Sequence, residues 1–183
     1  MATPSTAIPL GAPLPDFLLV DVVTGRPVGA DDLRGKPGAL VMFICNHCPY
    51  VVHVRAALVR EAHAALELGL GVVAINANSV RTHPQDGPDA MRTLAVAETW
   101  RFPFVFDATQ DVARAFGAAC TPDLYVFDRA GRLAYHGQLD DARPGNGAPI
   151  TGADLHAAIA AVAAGRPAAA RQTPSIGCGI KWE

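Results

Sequence analysis

The sequence is short of charge. Of 183 residues only 17% are Asp, Glu, Lys or Arg, and 15 basic against 17 acidic side chains leave a formal net charge of −2. That balance offers no basic face, which argues against nucleic acid or an anionic membrane as a partner. Long apolar runs are missing too, and none reaches the length of a membrane span. Residues 1–17 lack a basic n-region and an apolar h-region and are interrupted by prolines, so no secretory signal is read there and a cytoplasmic location is expected. Internal repeats are absent. Cysteine is sparse: Cys45, Cys48, Cys120 and Cys178 are too few to staple a chain of this length. In a reducing compartment such thiols serve chemistry or metal binding rather than bracing. What is plentiful is apolar surface. Half the residues are hydrophobic, ample for the core of one domain over residues 1–183 and too many for disorder.

Residues 1–37 read as a Pro-, Gly- and Asp-rich lead-in with a hairpin turning at Thr24-Gly25. The unbroken apolar run 39–44 suits a strand buried on both faces. Helical spacing follows over 50–68, with Val51, Val54, Leu58, Ala62 and Ala65 on one face, ended by Gly69 and Gly71. Residues 71–75 predict a second buried strand, 76–88 a polar loop, and 88–100 a helix opened by Pro88. A strand at 102–106 and a short helix at 109–116 come next. Strands at 124–127 and 132–136 are joined by Asp128-Arg129-Ala130-Gly131, a hairpin signal. A loop at 140–152, an Ala-rich helix at 153–164 and an irregular tail at 166–183 complete the chain. Strands alternate with helices and then form a hairpin, so the fold class is α/β with a mixed central sheet flanked by helices.

The strongest chemical signal is Cys45-Asn46-His47-Cys48, placed where a buried strand hands over to a helix. Unpaired backbone N–H groups and the positive dipole end at a helix start stabilise a thiolate. The two-residue spacing brings both sulfurs within bonding distance, so a disulfide can form and open without large rearrangement. Cys45, at the strand end, is expected to be the more exposed, attacking sulfur and Cys48 the resolving one. His47 between them would stabilise the thiolate when protonated. A four-thiolate zinc site of Cys45, Cys48, Cys120 and Cys178 is the competing reading, but no second Cys-x-x-Cys is present. Haem attachment would need His after Cys48, where Pro49 stands. No metal and no cofactor are expected.

The order strand, Cys-x-x-Cys-Pro, helix, and later Thr121-Pro122 before a strand resembles the thioredoxin superfamily. It is similar in particular to the AhpC/TSA and TlpA-like thiol:disulfide interchange group. Leu14-Pro15-Asp16-Phe17 matches that group's N-terminal signature, and Asp32-Leu33-Arg34-Gly35-Lys36-Pro37 its lead into the central strand. One subgroup is matched more closely, by Phe43 to Val51, by Ala119-Cys120-Thr121-Pro122-Asp123, by Arg143-Pro144-Gly145-Asn146-Gly147 and by Pro174-Ser175-Ile176-Gly177-Cys178. The resemblance implies a thioredoxin-like fold with an N-terminal hairpin extension. It implies that Thr121-Pro122 is a cis-proline loop facing the cysteines and that Pro49 starts their helix. The chain departs from the peroxiredoxin pattern Pro-x-x-x-Thr-x-x-Cys, having Val41 and Cys45 where Pro and Thr belong. It also has Ile44 and Asn46-His47 where thioredoxin carries Trp and Gly-Pro.

The implied topology sends the loops 76–88 and 138–147 to the cysteine edge of the sheet. There Asp140, Asp141 and Arg143 are candidates to bind a polar substrate or to pair with one another. Cys120 is expected near the cysteine pair. Cys178, between glycines in a tail free to fold back, is a candidate partner for Cys120 in a second dithiol that relays electrons. His53 and His63 read as solvated, His83 and His136 carry no motif, and Trp100 and Trp182 read as packing residues. The expected activity is thiol–disulfide exchange in the reducing direction, on a protein disulfide, with an external dithiol as reductant. A thiol peroxidase acting on a small peroxide is the alternative.

Overall fold

The computed structural model describes residues 2–183. In chain order the elements are β1 (Ala2–Pro4), β2 (Leu18–Val20), β3 (Pro27–Gly29), α1 (Ala30–Leu33), β4 (Gly38–Phe43), α2 (Pro49–Glu67) and β5 (Gly71–Asn76). A short 3-10 turn (Pro84–Asp86) leads to α3 (Pro88–Ala97), β6 (Phe104–Phe106), α4 (Asp111–Ala115), β7 (Cys120–Thr121) and β8 (Asp123–Asp128). The chain ends with β9 (Leu133–Gly137), α5 (Ala153–Ala163) and β10 (Ile176–Gly179).

The central sheet has the order β6-β5-β4-β8-β9. β4, β5 and β6 run parallel, whereas β8 runs antiparallel to β4 and to β9. The two-residue period of the strands sorts their side chains into two cores. Leu40, Met42, Val72, Ala74, Leu124 and Val126 face α2, α3 and α5. Val41, Phe43, Val73, Ile75, Tyr125 and Phe127 face Leu14, Phe17, α1 and α4. Phe43, Phe116 and Tyr125 meet edge-on in this second core, with Phe43 and Phe116 centroids 5.4 Å apart. β4 lies in the middle of the sheet with all six residues buried, which is why its sequence is apolar without alternation.

α2 begins with Pro49 at its first position and Cys48 as the preceding cap residue. It ends in a Schellman turn: Gly69 takes φ +85°, its N–H donates to the Leu66 carbonyl, and Leu70 N–H reaches Ala65. The β2–β3 hairpin turns where the sequence places it, with Asp21 accepting from the backbone of Val23 and Thr24.

The tail is where the structure departs most from the sequence reading. Residues 176–179 are not irregular but form the middle strand of a sheet ordered β1-β10-β7. Ile-Gly-Cys-Gly has little intrinsic strand preference, because glycine is depleted from strands. Close backbone approach makes the strand: a Cβ on Gly177 would lie 1.9 Å from the Thr121 carbonyl oxygen. Beyond β10 the backbone stays tied. Ser79 N–H donates to the Lys181 carbonyl, Lys181 N–H to Asn78 Oδ1, and Glu183 N–H to Gln110 Oε1. Trp182 does not cover the cysteines but lies under the Arg114 guanidinium, 5.1 Å away. The loop 76–88 is not simply solvated either, since Asn76, Asn78, Ser79 and Asp86 are buried.

Candidate active site

β4 delivers Ile44 and Cys45 to one end of the central sheet, and the turn through Asn46 and His47 hands the chain to α2. β8 starts at the same end, directly after a cis Thr121–Pro122 peptide. Both sulfurs meet Thr121. Cys48 Sγ donates to its carbonyl oxygen at 3.1 Å, and Cys45 Sγ lies 3.4 Å from its hydroxyl. Cys45, expected to be the exposed sulfur, is only 1% exposed, and Cys48 is fully buried. The strand end is covered by the loops packed around it.

Burial raises both thiols, but their neighbours shift them in opposite directions. The Cys45 thiol is pushed up, first because it gives its proton to the Cys48 sulfur, then by burial and by the nearby Asp86 carboxylate. The Cys48 thiol is pulled down to about 4, by that same hydrogen bond from Cys45 against the opposing effect of burial. Thr121, Cys178 and the Val51 amide at the start of α2 add to the lowering. Proton donors converge on Cys48 and a negative charge sits beside Cys45, so the first thiolate belongs to Cys48. On ionising, Cys48 gives up its donation to the Thr121 carbonyl and accepts from these donors instead.

Asp86 is the residue the sequence reading missed. Its fully buried carboxylate accepts from the backbone N–H of Asn46 at 2.9 Å and of His47 at 3.2 Å, from His47 Nδ1 at 2.5 Å and from Asn78 Nδ2 at 2.8 Å. It thereby fastens the loop 76–88 onto the turn between the cysteines. The one available signal was the polar density of that loop, Asn76, Asn78 and, between prolines 84 and 88, Asp86, at the edge where the cysteines were expected. His47 Nδ1 is 3.9 Å from Cys45 Sγ, farther than from Asp86, and the ring stacks on His83 at 4.7 Å. Asn46 donates from Nδ2 to the Gln85 carbonyl, and its Oδ1 is buried without a protein partner. Cys45, His47 and Asp86 hold one potential metal-ligand atom each within 4.8 Å of one another, although every Asp86 oxygen is already hydrogen-bonded.

The other two cysteines separate. Cys178 stands opposite Thr121 in the β10–β7 ladder, while Cys120 stands opposite Gly179. Neighbouring residues of a strand face opposite ways, so Cys178 shares the face of Thr121 and Cys120 points elsewhere. Cys178 packs against the core that holds Cys48, whereas the Cys120 thiol donates to the Pro122 carbonyl at 3.6 Å. The expected Cys120–Cys178 pairing is therefore not what the strands arrange. Cys120 is buried and its thiol pushed up by desolvation. Cys178 is partly exposed, its thiol raised to about 11 by partial burial and by its hydrogen bond to Cys48.

The candidate rim also differs. Asp140 is buried, accepting from the backbone N–H groups of Ala142, Thr151 and Gly152. Asp141 accepts from Gln138 Nε2, and Arg143 donates to the carbonyls of Asp140 and Ala142 and to Gln138 Oε1. These bonds brace the loop, satisfying backbone groups that the turn leaves free; Asp140 is buried, Arg143 half-buried beside Pro122, and Asp141 stays exposed. Of the histidines read as solvated, His53 is less exposed than expected. His53 Nε2 is buried without a partner, and His136 Nε2 lies 2.8 Å from the buried Asp123 carboxylate.

A family model described as AhpC/TSA family matches residues 10–136. Among curated proteins there is no match. The chain is similar over its whole length to an uncharacterized conserved protein from Geobacillus kaustophilus, with 46% identity, a TM-score of 0.96 and 97% of that chain covered. A hypothetical protein from Sinorhizobium meliloti 1021 is also 46% identical, with a TM-score of 0.95 and coverage of 99% of this chain and 98% of the other. A thiol:disulfide interchange protein from Chlorobium tepidum TLS shares the fold at 21% identity, with a TM-score of 0.64 over 86% of this chain and 99% of the other.

Proposed function

The chain belongs to the AhpC/TSA family, thioredoxin-like in fold and built for thiol redox chemistry, and from that premise we propose that it exchanges disulfides through Cys45 and Cys48. One observation carries the reading: both sulfurs converge on Thr121, at 3.1 and 3.4 Å, where the central strand meets the start of α2. The Cys48 thiolate attacks one sulfur of a substrate disulfide, forming a mixed disulfide and releasing the other sulfur as a thiolate. Cys45 then gives up its proton and attacks Cys48, closing the Cys45–Cys48 bond and freeing the substrate thiol. An external dithiol reopens the bond and is itself oxidised. Substrate disulfides are thus reduced at the expense of that dithiol. Asp86 and His47 hold the turn, and Pro49 sets the helix whose first amides face Cys48.

A second reading draws on the burial of both sulfurs. A small peroxide reaches such a thiolate more readily than a folded protein disulfide does. The Cys48 thiolate would attack the peroxide, breaking its O–O bond to give the sulfenic acid and release an alcohol or water; Cys45 would then attack the sulfenic sulfur, closing the same disulfide and releasing water.

The experiment compares insulin-disulfide reduction with peroxide consumption, both coupled to dithiol oxidation, for wild type, Cys45→Ser and Cys48→Ser. Activity in the first assay, lost in both variants, supports exchange. Activity in the second alone moves the chain to the peroxidase reading. Silence of the wild type in both overturns the enzyme reading.

A further inference from the structure

The proposed exchange uses two thiols, yet the structure assembles three. β10 is held between β1 and β7, with Cys178 facing Ala2 on one side and Thr121 on the other. Thr121 is the residue on which Cys45 and Cys48 converge. A cross-strand partner lies on the same face about 4.5–5.5 Å away, so this register delivers the Cys178 side chain to the sulfur cluster. Cys178 packs against the core that contains Cys45 and Cys48. Gly177 makes this possible, since any side chain there would strike the Thr121 carbonyl and lift the strand. Burial differs across the trio: Cys45 and Cys48 are buried, and Cys178 alone is partly open. A disulfide between the two buried cysteines is less accessible to an external reductant than one that includes Cys178.

We propose that Cys178 is a third redox thiol of this centre, a second resolving cysteine that closes a Cys48–Cys178 disulfide during turnover. The proposal rests on the reading that Cys48 forms the mixed disulfide. In that step the Cys178 thiol loses its proton and its sulfur attacks Cys48 Sγ. The Cys48–Cys178 bond forms, the bond from Cys48 to the substrate sulfur breaks, and the substrate leaves as a thiolate that takes up a proton. Reset begins when one thiolate of an external dithiol attacks Cys178 Sγ, expelling Cys48 as a thiolate. The second thiol of the reductant then displaces Cys178, which is reprotonated, and the reductant departs as its own disulfide. Cys48 is the better leaving group of the two, since its thiol is the more acidic.

The test uses the full chain. Cys45→Ser protein is oxidised with diamide, which takes two electrons and two protons from a pair of thiols, then quenched in acid, alkylated and mapped by peptide mass spectrometry. A Cys48–Cys178 disulfide is expected. Finding both cysteines alkylated overturns the proposal. In parallel, reduction of the oxidised wild type by dithiothreitol is compared with that of Cys178→Ser and Cys178→Ala, with folding checked by circular dichroism. A slowing of about tenfold in both variants is expected, because the open sulfur has been removed; equal rates in folded variants overturn the proposal. The two levels fail differently. Insulin reduction by wild type without any Cys48–Cys178 bond leaves the two-cysteine reading and sinks this one. A Cys48–Cys178 bond in protein silent toward insulin and peroxide supports the linkage and sinks the proposed function.

Discussion

His47 Nδ1 lies 2.5 Å from the buried Asp86 carboxylate, across a separation of 39 residues, and this contact ties the turn between the cysteines to the loop after β5. Asp86 also accepts the backbone N–H groups of Asn46 and His47. Asp86→Ala would leave those amides without partners, at about 1–3 kcal/mol each. A loss of about 3 kcal/mol in urea unfolding of the reduced protein is expected. Asp86→Asn keeps an acceptor for the amides and removes the charge that raises Cys45. It should lose less stability and alkylate faster at Cys45 near pH 8. Equal losses for the two variants would assign Asp86 to packing alone.

Cys48 predicts an unusual pH profile. Its thiol, lowered to about 4 in the folded protein, should appear as a thiolate absorbance near 240 nm with a midpoint close to that value, absent in Cys48→Ser. The sign of the stability effect follows. A folded pKa below the unfolded one gives stability that is complete above the unfolded thiol pKa, about 8.5, and is lost as pH falls through the folded value. Cys45 acts oppositely, its raised thiol costing stability only as pH climbs past the unfolded range. The stability advantage of reduced wild type over Cys48→Ser should therefore grow from pH 4 to pH 8. A stabilised thiolate also favours the reduced pair. Its potential, measured against glutathione, should be less negative than the roughly −270 mV of thioredoxin.

Gly177 offers a mechanical test of the strand that carries Cys178. A methyl group there meets the Thr121 carbonyl oxygen at 1.9 Å, a backbone atom that cannot swing aside. Gly177→Ala should push β10 off β7, with a stability loss of about 1–3 kcal/mol. Cys48 and Cys178 should then react with a maleimide about tenfold faster than in wild type, as local opening no longer limits access. Unchanged reactivity would show that β10 does not cover the cysteines.

The central sheet was legible because its strands are buried on both faces and write that burial as apolar runs, as at 39–44 and 71–75. The turn from strand to helix at Cys45–Pro49 was legible for a similar reason, since local chemistry sets it. Contacts made through backbone were not. Nothing in Ile176-Gly177-Cys178-Gly179 announces a strand, because its glycines serve an approach to Thr121 made from 56 residues away. Asp86 was hidden likewise, as a carboxylate in a polar loop reads as solvated until the loop is folded over the amides that need it. Which sulfur ionises first depends on donors from Thr121, β10 and α2 together, and spacing along the chain does not encode that.

Asp140 gives the sharpest contrast between a binding role and a bracing one. Its carboxylate accepts Thr151 N–H and Gly152 N–H at 2.6 Å on one oxygen and Ala142 N–H at 2.9 Å on the other, holding the loop 138–147 against the start of α5. Burial by itself would raise this carboxyl, but the Gly152, Ala142 and Thr151 amides outweigh it and hold it below the usual range. Asp140→Asn keeps the shape but turns an NH₂ toward amides that need an acceptor, and should cost about 2 kcal/mol at pH 7. A depressed folded pKa means that this contribution is complete above the unfolded value near 3.9 and disappears as pH falls through the folded one. The gap in unfolding free energy between wild type and Asp140→Asn should thus be constant from pH 5 to 7 and shrink below about pH 4. Meanwhile insulin reduction at saturating substrate should change less than twofold, since both Asp140 oxygens are taken up by the amides of Ala142, Thr151 and Gly152. A large rise in KM with stability unaltered would return Asp140 to the substrate rim.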